Sequence, residues 1–393
     1  MNRDIREKYR RALAEQLDVK SGQIALFWKG RTGLYAILRA LGIRSGDEVI
    51  LPAFTCVVVP NAILYLGARP VYVDVDLKTY NLATGLLEKA ISPRTKCILA
   101  QNTFGLSADL EPILKIAQNK QIPVVEDCAH GFGGAYRGQK NGTWAHAAFF
   151  STQWNKPFST GWGGFTAVKE EGLARKVRQL EKEWSQPTFR QEQMLRLQLW
   201  ARKNLLTSAT YWPALRLYRR LSGLGLIPGS SEGSELLTTQ MPGRYRIAGG
   251  SVQAKEGLRQ IQRFPQIQDR RNELAQLYDR KMEALGMPAL PVPPHITHSY
   301  LKYPLLVKDR AAFFALAERH RIRLGDWMRS PIHPVEKDWE KWGYETGACP
   351  NGEYLSRHVV NLLTDLDMGK KEVERTLAFL ERYRDWLLTH VTH

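Results

Sequence analysis

Two stretches of the chain hold residue types with chemical potential at a telling spacing. VVEDCAHGFG (124–133) ends an apolar run in the carboxylate Asp127. FFSTQWNKPFSTGWGGF (149–165) places Lys156 five residues after Ser151. A lysine amine condenses with an aldehyde to give a Schiff base and can later shuttle a proton. A carboxylate facing a pyridine nitrogen keeps that ring protonated, so the ring can take up electrons from a substrate carbanion. Together these are the groups that pyridoxal 5'-phosphate (PLP) requires. Singly, neither residue is diagnostic, since an Asp after a strand is usually a cap or turn and a lone Lys usually faces solvent. A third stretch, WKGRTGLYAILRAL (28–41), runs from a glycine turn straight into a helix that begins around Arg31, Thr32 and Gly33. Free N–H groups at such a start, backed by the helix dipole, suit a phosphate, although glycine turns before helices are common. Ser151 offers a hydroxyl to the same anion, or bonds its own backbone.

The elements that must position these residues read as alternating strands and helices. Strands are expected at Glu48–Leu51, Pro70–Val75, Lys96–Gln101, Ile122–Glu126, Ala147–Ser151 and Gly164–Val168, with helical patterns at Leu34–Leu41, Val59–Leu66, Thr84–Ala90 and Leu110–Gln118. Such alternation implies crossover units and a mostly parallel α/β sheet. Ligands on these sheets bind outside the carboxyl ends of the strands, which is where Asp127 and Ser151 fall. Long helices follow near Ser251–Phe264 and Asp269–Leu285. Beyond Pro288 the pattern is that of a smaller α+β domain, with a strand at Tyr300–Val307 and helices at Asp309–Arg321 and Lys371–Leu388. The expected division is a large domain over 1–250 and a smaller C-terminal one over 251–393 that includes the linking helices.

The 393 residues suffice for two such domains. Lys plus Arg number 56 against 39 Asp plus Glu, a net charge of +17 that favours anionic partners. The basic residues are spread along the chain without a nucleic-acid motif, so no nucleic-acid partner is expected. Four scattered cysteines, with no CxxC pair, argue against a disulfide framework or a metal site. The charged N-terminal stretch lacks the apolar core of a signal peptide, and no run is long and apolar enough to span a bilayer. The expectation is a cytoplasmic protein.

With GDEVILPAFT, NAILYLGARPVYVDVD, FGLSADL, IPVVEDCAH and STQWNK in view, the chain resembles the DegT/DnrJ/EryC1/StrS family of sugar aminotransferases from about Gly30 to the C-terminus. The resemblance implies PLP fold type I, an aspartate-aminotransferase-like architecture. It implies Lys156 as the Schiff-base lysine, Asp127 as partner of the pyridine nitrogen, and Ser151 with the Arg31–Thr32 turn as phosphate ligands. His130 falls where the family has Gln or His near the phenolic oxygen. Cys56 stands where an aromatic commonly stacks on the ring, which leaves the stacking residue open. Arg244 takes the place of an Asn that reaches the neighbouring subunit's cofactor, so a homodimer is implied. The implied reaction transfers an amino group from glutamate to a nucleotide-linked keto-sugar, for polysaccharide or glycosylated-metabolite biosynthesis. A dehydrating branch of the family lacks the lysine, so Lys156 favours transamination.

One segment is atypical. Between Arg190 and Pro228 lie seven basic residues and one acidic, interleaved with leucine and aromatics. It reads as an excursion packed on its own subunit or its dimer partner, or else as a peripheral membrane contact with Trp200, Tyr211 and Trp212 at the interface. The second option would bring the enzyme to a lipid-linked or non-sugar substrate. A non-enzymatic binding protein on the same scaffold is disfavoured by the retention of both Asp127 and Lys156. His298 and His333 lie where substrate-contacting loops are expected, or are hydrogen-bonded structural histidines. Trp327, Trp339 and Trp342 could form a stacking wall, though core or interface packing is the more ordinary role.

Overall fold

The computed structural model describes residues 2–205, 210, 213 and 233–389. A seven-stranded sheet forms its larger part: β1 (Ile24–Phe27), β2 (Glu48–Pro52), β3 (Arg69–Val73), β4 (Thr95–Gln101), β5 (Val124–Asp127), β6 (Ala147–Ser151) and β7 (Gly164–Val168). Their order across the sheet is β1-β7-β6-β5-β4-β2-β3. All neighbouring pairs are parallel except those of β7, which runs antiparallel to both β6 and β1. The expected α/β architecture is therefore present. The short strand β1 escaped sequence reading, because IALF is too brief and too uniformly apolar to separate from the helix start that follows it.

The central strands are buried throughout except at Lys96, as apolar runs covered on both faces should be. On one side Leu34, Ile37 and Leu38 of helix Gly30–Ala40 pack with Val49, Leu99, Val125 and Phe149. On another, Phe132, Phe150, Phe158, Phe165 and Phe264 form an aromatic cluster with Leu13 and Leu17 of helix Asn2–Leu17. Rings of Phe150 and Phe165 stack with centroids 4.3 Å apart.

A second sheet holds β8 (Tyr303–Val307), β9 (Leu324–Gly325), β10 (Val359–Leu362) and β11 (Leu387–Leu388) in the order β9-β10-β8-β11, all antiparallel. Its core takes in Leu274, Tyr278 and Met282 from helix Phe264–Ala284, together with Phe313, Phe379 and Leu380. The helix expected over 371–388 ends at Arg382; a short 3-10 turn and β11 follow, because Leu387 pairs with Val307. The two lobes are tied by Thr55–Cys56, which pairs in parallel with Ile332–His333. Asp74 completes the tie by accepting from the Asn351 and Gly352 amides at 2.9 Å each.

Candidate active site

Asp127 is the last residue of β5 and is buried, as a strand-end side chain enclosed by neighbouring strands should be. Its Oδ1 accepts from the Ala129 amide at 2.9 Å, and Oδ2 makes no hydrogen bond among the described residues. Burial raises its pKa, and the charge of Lys156 opposes that shift. The neighbouring carboxylate, Glu126, points to the other face of the strand. There it accepts from the amides of Gly142 (2.7 Å), Trp144 (3.0 Å) and Ala145 (3.1 Å), pinning the hairpin that leads into β6.

Lys156 sits in the β6–β7 connection, behind Asn155, whose φ of 61° marks a sharp left-handed turn. Its Nζ lies 3.9 Å from the ring centroid of Trp327. Burial lowers the pKa of this amine below the ordinary lysine range, with Cys56 and Asp127 pulling the other way. Trp327 also meets His130 edge-on at 4.5 Å and stacks on His333 at 6.1 Å. His130 is buried, and its Nδ1 accepts from the Phe104 amide at 3.2 Å. Desolvation pushes its pKa well down, so the ring is neutral, and the accepting Nδ1 leaves the proton on Nε2.

Helix Gly30–Ala40 begins against the end of β6. A Cβ at Gly30 would lie 2.9 Å from both the Phe150 carbonyl and Ser151 Cβ, and one at Gly164 would lie 2.3 Å from Gly30 itself. Only glycine permits this approach. The helix start thereby stands beside Ser151, and no side chain of its N-cap residue, Lys29, caps it. An uncapped helix start next to a hydroxyl is a phosphate cradle. Asp127, with one oxygen unused, is a match for a protonated ring nitrogen. The residues present thus fit PLP.

Decisive support comes from the whole chain, which matches the DegT/DnrJ/EryC1/StrS aminotransferase family over residues 6–198 and 232–381. The chain belongs to this family. Like the family, it is a PLP-dependent aminotransferase. Among its relatives, GDP-perosamine synthase of Caulobacter vibrioides is 29% identical over 336 residues, covering 86% of this chain and 74% of that protein. The UDP-2-acetamido-2-deoxy-3-oxo-D-glucuronate aminotransferase of Pseudomonas aeruginosa is 37% identical over 190 residues, covering 48% of this chain and 52% of that one. The fold is shared with the PLP form of Spr1654 from Streptococcus pneumoniae (TM-score 0.76, 20% identity, 98% of this chain and 92% of that chain). It is shared equally with the aminotransferase TlmJ from Streptoalloteichus hindustanus (TM-score 0.74, 23% identity, 96% and 90%).

The remaining sequence-derived positions distribute unevenly. Arg31 spends its guanidinium on the buried Glu235, so only its backbone remains for a phosphate. Thr32 Oγ1 donates to the Tyr245 carbonyl at 3.1 Å and its amide donates to the Lys29 carbonyl at 3.2 Å, so Thr32 serves to hold the helix start in place. Cys56 is half-buried in the tie to Ile332–His333, within electrostatic reach of Arg31, Lys156 and Asp127. Arg244 lies exposed in a turn of this subunit. His333 stacks on Trp327 with its Nδ1 accepting from Arg329, 3.3 Å away, and so belongs to the wall around Lys156. His298 is instead buried, stacked on Tyr300 at 4.2 Å and accepting its amide at 2.8 Å; these contacts give it a packing role. Of the three tryptophans, Trp327 alone stands at Lys156. Trp342 is core, its Nε1 donating to Asn61 Oδ1 at 2.7 Å, and Trp339 donates to the Val335 carbonyl. Tyr211 and Trp212 lie outside the described residues, whereas Trp200 is 56% exposed on helix Phe189–Leu205. No described helix is long and apolar enough to cross a membrane.

Proposed function

We propose that this enzyme transfers an amino group from an amino acid, glutamate, to a keto-sugar carried on a nucleotide, with Lys156 and Asp127 as its catalytic pair. The observation that carries the site assignment is the burial of Asp127 and the lowered basicity of Lys156 beneath Trp327. The substrate class rests on relatives named for GDP- and UDP-sugar products or substrates. PLP, when bound, supplies an electron sink for the substrate carbanion. Lys156 Nζ, kept partly neutral by burial, would take the proton from the donor's α-carbon and hand it to the cofactor carbon that carries the imine, and would run the same transfer in reverse when the keto-sugar is aminated. Asp127 would face the ring nitrogen and keep its proton in place, and the His130 Nε2–H would donate to the ring's phenolic oxygen. Ser151 and the start of helix Gly30–Ala40 would anchor the phosphate. Trp327 and His333 close the lysine face against water.

A homodimer is part of this reading, because the exposed turn holding Arg244 leaves that guanidinium free to reach a second subunit's phosphate. A second reading concerns where the enzyme works. Helix Phe189–Leu205 exposes Phe189, Met194, Leu197, Trp200 and Leu205 beside Arg190, Arg196 and Lys203. That mixture favours contact with an anionic membrane surface, and co-sedimentation with anionic liposomes at low salt tests it. No sedimentation there would remove this reading.

The principal test compares visible spectra of wild type and Lys156→Ala purified with PLP, before and after glutamate. The expected result is a band of lysine-bound cofactor that glutamate bleaches in wild type and that is missing in the variant. A band untouched by glutamate would overturn the donor, and a band retained in Lys156→Ala would overturn the lysine.

A further inference from the structure

Behind Lys156 lies a cluster of charged side chains that the reaction as described does not use. Arg271 projects from helix Phe264–Ala284 and is only 4% exposed. Its Nη2 makes a long contact, 3.4 Å, to the Lys156 carbonyl. Its Nε and Nη1 are cut off from solvent and have no hydrogen-bond partner among the described residues. Lys302, 2% exposed at the start of the second sheet, places Nζ 3.7 Å from Asp365 Oδ1. Two buried cations therefore face one carboxylate, a local surplus of one positive charge.

That arrangement is incomplete as it stands. A guanidinium has five donors in a rigid planar fork and no means of losing its charge at working pH. Leaving the three N–H groups of those two nitrogens buried without an acceptor is strongly unfavourable, more so than for a neutral group. Asp365 does not close the account, because among the described residues it makes no hydrogen bond to Arg271, though the two interact electrostatically. Against the penalty of burial, Lys302 and then Arg271 hold the Asp365 carboxyl below its usual range, so it is already fully charged and cannot supply more. The field of Lys302 reaches Lys156 and His130 as well, so the cluster and the catalytic lysine share one electrostatic environment. Lysine 302 and Arg271 both carry lowered pKa values from desolvation, which an added anion would restore.

We propose that Arg271, with Lys302 beside it, is a carboxylate-binding subsite adjoining the catalytic lysine. The planar fork of Arg271 matches a carboxylate in two parallel N–H···O bonds, and a carboxylate brings the single negative charge the cluster lacks. Carboxylates reach this enzyme from two sources: the amino-acid donor, or a uronate group on the sugar. This inference rests on the aminotransferase reading above and adds a recognition element to it.

The test uses the PLP-loaded enzyme and calorimetric titration with glutarate, a dicarboxylate with no amine to transfer, and with glucuronate. Arg271→Gln is expected to weaken glutarate binding at least about tenfold, while Arg271→Lys retains part of it. KM for glutamate should rise in parallel while KM for the sugar stays put, which assigns the subsite to the donor. Loss of glucuronate binding with an unchanged KM for glutamate assigns it to a uronate on the sugar. Unchanged affinity for both probes in Arg271→Gln overturns the subsite, and leaves the guanidinium to a buried water. An intact visible band in each variant shows that the fold and the cofactor site survive. Because glutarate binding is read by heat, a failure of the donor assignment stays separate from a failure of the subsite.

Discussion

Glu126 and Asp127 are neighbours on one strand and both buried, yet removing their charges should have opposite consequences. Glu126 accepts three backbone amides: Trp144 and Ala145 on Oε1, and Gly142 on Oε2. In Glu126→Gln one of those oxygens becomes an NH2 group facing an amide donor. At least one amide and the new NH2 are then buried without acceptors, each at about 1–3 kcal/mol, so about 4 kcal/mol of stability should go. Asp127→Asn keeps an oxygen for the Ala129 amide and removes a desolvated charge, so its stability should stay within about 1 kcal/mol of wild type. Its activity should nonetheless fall about 100-fold or more, because a neutral amide cannot hold the charge of a protonated ring nitrogen. Urea unfolding followed by tryptophan fluorescence reads the first effect, and the rate of glutamate-driven bleaching of the visible band reads the second. Equal stabilities for the two variants, or an active Asp127→Asn, would refute the division of labour between these carboxylates.

Three further outcomes are expected. His298 is buried with its pKa pushed down to about 3. The unfolded chain therefore binds a proton that the folded one does not, and stability rises with pH between those two pKa values. Taking the enzyme from pH 7 to 5 should cost about 2 kcal/mol at this residue alone, a slope that His298→Gln should lose in urea titrations at the two pH values. Gly30→Ala should impair PLP retention without abolishing the fold, since the new methyl meets the Phe150 carbonyl and Ser151 beside the helix start; equilibrium dialysis against PLP checks this, and undiminished affinity would count against the cradle. Capture of PLP by the apoenzyme should gain rate with pH and level off below the ordinary lysine range, because burial lowers the Lys156 pKa; a rise continuing past pH 10 in stopped-flow absorbance would contradict that.

Much of the framework of the candidate site was legible because local sequence determines it. The strands ending in Asp127 and Ser151 are apolar runs broken by polar residues, and a glycine turn before an amphipathic helix is visible in one dimension. What sequence could not supply was long-range placement. Trp327 and Trp342 look alike in sequence, yet one walls Lys156 and the other is core, because the difference depends on how the loop after β9 docks beside Thr55–Cys56. Cys56 signalled a missing stacking aromatic, and Trp327 now stands near that gap, over the lysine. Equally, the Arg31–Thr32 turn reads as a backbone donor, and sequence could not show that Glu235, more than 200 positions away, holds the Arg31 side chain. Glu235 follows the segment where the family match breaks between 198 and 232.

That break and the Arg271 cluster meet at one residue, which ties the atypical segment to the active site. Arg202, on helix Phe189–Leu205, lies within the break, with its guanidinium 5.0 Å from the centroid of the Trp154 ring and donating to Asn155 Oδ1 at 3.2 Å. Asn155 is the left-handed residue that aims Lys156. The same Arg202 contributes to the field at Lys302 and Asp365. A helix that exposes apolar side chains to solvent therefore also braces Arg202 against the turn of Lys156. Anything that covered Phe189, Leu197 and Trp200, a membrane surface or another protein chain, would bear on the lysine turn through one side chain. The basic segment is thus better placed to influence the catalytic site than a surface excursion remote from it would be.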